Sequence, residues 1–118
     1  MTEYPNKPEK LFVIWSSMDR EVATKMVFMY TLNAKLRGWW DDVSLIVWGP
    51  SAKLVSEDKA LQAKIKEMKD AGVELLACKA CSDSYEVSES LGALGIEVKY
   101  MGEPLTMILK GNNKIVTF

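Results

Sequence analysis

Short apolar runs alternating with segments of helical period constrain this chain more than any other feature. "KLFVIW" (Lys10 to Trp15) and "VSLIVW" (Val43 to Trp48) are rich in branched and aromatic residues, the pattern of strands buried on both faces. Val73 to Ala77 is a third such run. Ile96 to Tyr100 reads as nearer an edge, because Glu97 and Lys99 alternate with apolar residues. Ile115 to Phe118 is a final strand after the turn "KGNNK". Between these runs the period becomes helical. Asp19 to about Arg37 carries Val22, Met26, Met29, Asn33 and Leu36 on one stripe and Ala23, Val27, Tyr30 and Ala34 on the next. Phe28 and Leu32 widen that arc beyond what one buried face needs, which suggests a contact with another subunit. Asp58 to Ala71 puts Leu61, Ile65 and Met68 inward and stops at Gly72. Ser84 to about Leu94 stops at Gly95, and Pro104 to Lys110 starts on a proline suited to a first helical position. After the breaker "GPS", only a short turn is expected at Ala52 to Leu54.

Strand and helix thus alternate five times. The predicted fold class is α/β: an open, flavodoxin-like three-layer α/β/α sandwich with a five-stranded, mainly parallel sheet. A length of 118 residues fits one domain, 1–118, with 1–9 as a polar N-terminal segment. Such a chain folds without a staple.

The net charge of -1 argues against nucleic acid as a partner, which would call for a basic patch. The start "MTEYPNKPEK" lacks the apolar core of a signal peptide. The longest strongly apolar runs are about five residues, where a membrane span needs about 20. A cytoplasmic location is therefore expected, where thiols stay reduced. There are no histidines. That excludes Ser-His-Asp and Cys-His catalysis, Cys2His2 zinc sites and C-x-x-C-H haem attachment. Chemistry falls to thiols, carboxylates, lysines, tyrosines and backbone dipoles.

Both cysteines lie in "GVELLACKACSDSYEVSESLG", as Cys78 and Cys81. Ligands of open parallel sheets bind at the carboxyl ends of strands. That edge is predicted to hold Ser16, Ser17 and Asp19 after the first strand, Trp48, Gly49 and Ser51 after the second, and Cys78 after the third. Asp83 and Glu86 have the spacing of a capping box, which would put Cys81 just ahead of a helix. The helix dipole and Lys79 would favour a thiolate, toward pKa values of about 3.5 to 7.5 known in such settings. Asp83 and burial would oppose that shift. The candidate catalytic residues are Cys78 and Cys81, supported by Lys79 and Asp83. Ser16, Ser17, Asp19, Trp48, Gly49, Ser51 and Tyr85 would line the pocket. Asp19 is first a helix cap. "GPSAKL" lacks the G-x-x-x-x-G-K of a phosphate loop and reads as a tight turn. Two thiols without histidine supply too few ligands for a metal within one chain, so no metal is expected unless subunits share it.

"VELLACKACSD", followed by a helix and closed by "KIVTF", resembles the DsrE/DsrF-like family, which includes sulfur-relay proteins of the DsrE and TusD type. "SSMDREVATKMVFMYTLNAKLRGWW" and "LIVWGPSAKLV" resemble its branch of small bacterial and archaeal proteins with a Cys-x-x-Cys at this place. The resemblance covers nearly the whole chain. It implies a three-layer domain, no separate cofactor, and homomeric or mixed trimers or hexamers. It also implies a cysteine that accepts sulfur as a persulfide, which by position is Cys78. Cys81 matches the second cysteine of the small members. Relay members often carry a glycine-containing loop after the first strand and an Arg-Gly after the cysteine. This chain has Ser16 to Asp19 and Ser84-Tyr85-Glu86 instead.

The expected function is sulfur handling, as a sulfurtransferase or an accessory protein of sulfur reduction. Its partners would be sulfur donor and acceptor proteins or small sulfur species, with no nucleic acid and no membrane. The alternatives are a homo-oligomeric module binding an anion or nucleotide-like ligand at the same edge, and a dithiol redox protein.

Overall fold

The alternation of elements closes into a single sheet. The structure, a computed structural model, describes residues 10–118; the polar segment 1–9 lies outside them. The strands are β1 (Lys10–Trp15), β2 (Asp42–Val47), β3 (Glu74–Cys78), β4 (Glu97–Lys99) and β5 (Lys114–Thr117). Every pairing is parallel, and the order is β4-β3-β2-β1-β5. A flavodoxin-like order of 2-1-3-4-5 reverses direction after its first crossover. Here the chain steps the same way three times before returning to lay β5 beside β1. The expected short edge strand is confirmed, since β4 ends the sheet.

The three forward crossovers cover one face, except that α5 turns Cys81 toward the other. They comprise α1 (Arg20–Val22), a π-helical stretch (Ala23–Val27) and α2 (Phe28–Leu36), then α3 (Pro50–Glu57) and α4 (Lys59–Asp70), then α5 (Lys79–Ser84) and α6 (Ser88–Ala93). The return crossover, α7 (Gly102–Lys110), covers the other face. Alternation along the strands separates the two cores. Leu11, Val13, Trp15, Val43, Leu45 and Val47 face the first layer with Val27, Leu61, Ile65 and Met68. Phe12, Ile46, Leu76 and Cys78 face the second with Met101, against which Ile108 of α7 packs. The layered α/β class read from the sequence is the class observed.

Local departures have local causes. The first long helix was expected to be regular from Asp19 to Arg37. A π turn holds one extra residue and so rotates all that follows it. Ala23, Val27, Phe28, Thr31 and Ala34 face inward, whereas Met26, Met29 and Leu36 are 48%, 54% and 62% exposed. The turn expected at Ala52 to Leu54 is a full helix, α3. Pro50 starts it, because a proline's fixed φ and missing N–H suit the first turn. Leu61, Ile65 and Met68 are buried along α4 as expected. Asp58 caps that helix by accepting from the Ala60 and Leu61 N–H groups at 3.0 and 3.1 Å.

The helix expected from Ser84 to Leu94 is two helices. α5 begins directly at the end of β3 and stops at Tyr85, and the chain turns through Glu86 at φ 59° before α6. The Val87 N–H donates to the Ser82 carbonyl at 2.8 Å across that turn. The capping box of Asp83 and Glu86 is therefore absent. Asp83 belongs to the preceding helix, and α6 starts at Val87 without a side-chain cap.

Candidate functional site

The parallel sheet brings the carboxyl ends of β1, β2 and β3 to one edge, and the polar groups there divide into two sets. Those after β1 are engaged in holding the fold. The Ser16 and Ser17 N–H groups donate to the Phe118 carbonyl at 2.7 and 3.3 Å, and the Ser16 hydroxyl donates to it at 3.0 Å. Strand order reverses between β1 and β5, where ligands of such sheets usually sit. These bonds tie that crevice shut. The Ser17 hydroxyl accepts from the Asp19 N–H. Asp19 caps α1, accepting from Glu21 N–H at 2.8 Å, as its N-cap reading foresaw. Ser51 is fully buried, and its hydroxyl donates to the Trp15 and Trp48 carbonyls. The hydroxyls of Ser16 and Ser51 and the Asp19 carboxylate are thus engaged within the fold.

The second set gathers one strand further along. Cys78 ends β3, packed among Phe12, Ile46, Leu76 and Met101 and only 5% exposed. Cys81 is the third residue of α5 and sits partly exposed against the same cluster beside Trp48. It was expected just ahead of a helix. It lies inside one because α5 starts five residues before Ser84, with Cys78 itself as the N-cap. Both thiols are free. Cys78 and Cys81 pack against the same cluster, three residues apart. Gly49 adopts φ 68° and ψ -138°, in a region that residues with a Cβ rarely enter. The turn through Gly49 launches α3 on Pro50.

The electrostatics differ from those expected. Burial pushes the Cys81 thiol above its ordinary pKa, and hydrogen bonding with Cys78 pushes it the same way. The Gly49 N–H pulls it back, and the Cys78 charge adds a further upward push. Lys79 does not act on Cys81 as foreseen. Its ammonium pairs with Asp83 at 2.8 Å and lies 5.5 Å from the centre of the Tyr100 ring. Lys79 and Asp83 largely neutralise each other. The Asp83 carboxylate also accepts from the Ser88 hydroxyl, and Ser88 bonds Ser82 at 2.6 Å. This clasp fastens α5 to α6. Tyr85 is exposed at the end of α5, where its N–H donates to the Cys81 carbonyl at 3.2 Å.

Of the residues picked from sequence, the structure joins Cys78, Cys81, Trp48 and Gly49. Ser88 and Met101 were missed. Ser88 became visible only once the helix break was known, and nothing in the sequence marks Met101 as the cover of Cys78. The described residues contain no group of three metal-ligating side chains.

The family model for the DsrE/DsrF-like family matches residues 9–118. The chain belongs to the DsrE/DsrF-like family. A solved structure titled as a conserved protein of unknown function, BT1422 from Bacteroides thetaiotaomicron, is 40% identical to it, with a TM-score of 0.91 over 93% of this chain and 95% of that one. The ychN protein from E. coli is 17% identical, with a TM-score of 0.63 over 92% of this DsrE/DsrF-like chain and 98% of its own, and shares the fold. A comparison with curated proteins gave no match. No helix among the described residues of this family member is long and apolar enough to cross a membrane.

Proposed function

We propose that this DsrE/DsrF-like protein handles sulfane sulfur in the cytoplasm, carrying it as a persulfide on the Cys78–Cys81 pair. Membership of the family points to sulfur relay in general. The observation that supports the finer reading is the pairing itself: two free thiols packed against one cluster, one of them partly exposed, at the carboxyl edge of a parallel sheet. A thiolate of the pair forms a bond to the sulfane sulfur of a donor persulfide. The donor's S–S bond breaks and its thiolate leaves with the electron pair. The sulfur then passes to an acceptor thiol by the same exchange. The second thiol can instead attack the loaded cysteine, releasing sulfide and leaving a disulfide. All of this proceeds with the chain's own sulfurs and an external donor and acceptor.

A module that binds an anion at this edge has less support, because the hydroxyls of Ser16 and Ser51 and the Asp19 carboxylate are already engaged. We also propose that the chain self-associates, as the exposed Met26, Met29 and Leu36 on one side and Met107 and Leu109 on the other suggest.

Intact mass after exposure to a small persulfide, with thiols alkylated, tests the function. The expected results are sulfur gained, or sulfide released with loss of two hydrogens, and neither in the Cys78→Ser/Cys81→Ser double variant. Equal sulfur uptake by that double variant would refute the reading.

A further inference from the structure

The two thiols occupy unequal places, and the inequality assigns their order of action. Resting on the sulfur-handling reading above, we propose that Cys81 receives the incoming sulfur and that Cys78 beneath it discharges it.

Exposure separates the two sulfurs. Cys78 is 5% exposed and enclosed by Phe12, Ile46, Leu76 and Met101, whereas Cys81 keeps a partly open surface on α5. A bimolecular exchange requires near-linear approach of one sulfur to another, so a donor meets the open sulfur first.

The steps balance. The Cys81 thiolate bonds to the terminal sulfur of a persulfide RSSH, the donor S–S bond breaks, and RS⁻ departs, leaving Cys81–S–SH. The Cys78 thiol then bonds to the Cys81 sulfur, HS⁻ leaves with the electron pair of the broken bond, and the Cys78 proton goes to solvent. The two cysteines are oxidised by two electrons as a disulfide, and the sulfane sulfur is reduced to sulfide. An external dithiol returns the pair to the reduced state by exchange.

The order is read by treating wild type, Cys78→Ser and Cys81→Ser with a small organic persulfide. Intact mass, sulfide release and a thermal melt are followed for each. Cys78→Ser is expected to accumulate one sulfur on Cys81 and release no sulfide. Wild type should lose two hydrogens and release sulfide in equal amount. Cys81→Ser should load roughly tenfold more slowly or worse. A Cys81→Ser protein that traps sulfur on Cys78 at the wild-type rate, with Cys78→Ser unloaded, would overturn this order and leave the proposed function standing. Absence of both sulfur gain and sulfide in the wild type would overturn both.

Discussion

The two faces of the sheet are built to different thicknesses. Among the described residues, the face under α1 to α4 and α6 buries twenty apolar side chains in one cluster, and the face under α7 buries five. Both cysteines belong to the thin side. The contrast concerns tolerance. Adding an atom to a close-packed core forces strained rotamers and backbone shifts that cost about 1–3 kcal/mol. On the proposed chemistry Cys81 gains an atom and Cys78 must turn toward it. Few neighbours need to move where the layer is one short helix deep. The thick face buries most of the core, and the thin face carries both thiols.

The sharpest way to break this comparison is to empty one site on each face. Ile65 on the thick side and Met101 on the thin side are both buried, at 0% and 1% exposed. Ile65→Ala is expected to cost about 2–5 kcal/mol in denaturant unfolding. Sulfur loading per folded molecule should stay at the wild-type value, because Ile65 belongs to the cluster on the face of the sheet opposite the one that holds Cys78. Met101→Ala should cost less than Ile65→Ala and raise the rate at which Cys78 is alkylated. Equal costs with no gain in Cys78 reactivity would show that the two layers are equally packed.

The same contrast explains how much was legible in the sequence. Periodicity marks what a continuous layer buries, so Leu61, Ile65 and Met68, the strand runs and the edge character of β4 could all be read from it. The Cys-x-x-Cys at the carboxyl end of β3 followed from element order alone. Geometry decided by a single peptide could not be read. A capping-box spacing at Asp83 and Glu86 is equally compatible with a helix that ends there, and Glu86 at φ 59° shows which occurred. Lys79 four residues before Asp83 reads as a charge near the cysteine until the helix starts at Lys79. The i,i+4 spacing then pairs the two with each other. "GPS" reads as a break, yet its proline opens a helix and its glycine is that helix's N-cap. The π turn, which sends Met26 and Met29 outward, has no sequence signature that we recognise.

A smaller effect is expected outside the cores. Met29 is 54% exposed on the thick side and Met107 is 68% exposed on the thin side. Replacing either by lysine should change the stability of the folded chain by no more than about 0.5 kcal/mol. Sedimentation tells which side the proposed self-association uses. The variant that lowers the assembled mass identifies it. If neither lowers it, the self-association proposed from these exposed side chains fails.

The smallest effect separates two clasps, one beside each layer. Arg20 Nε lies 2.7 Å from Asp58 at the head of α4, and Lys79 Nζ lies 2.8 Å from Asp83 in α5. Each carboxyl titrates below its ordinary value, Asp58 chiefly through its bond from Arg20 and Asp83 chiefly through its bond from Lys79, then Ser88. A folded pKa below the unfolded one, about 3.9, contributes stability that is full above that value and is lost as pH falls through the folded pKa. Both clasps face solvent, so salt screens them. The two differ in what they fasten. Asp58 also caps a helix of the thick layer through Ala60 and Leu61, and protonation still leaves that helix packed by Leu61, Ile65 and Met68. Asp83 holds α5 to α6 through Ser88, next to a turn with a residue at positive φ. Acidification below about pH 4 should therefore lower amide protection in residues 79–88 before it does so in α4. Asp83→Asn should show the loosened state already at neutral pH, with Cys81 alkylated faster there. If protection falls in both regions at the same pH, the Asp83 clasp fastens the thiol helix no more specifically than Asp58 fastens α4.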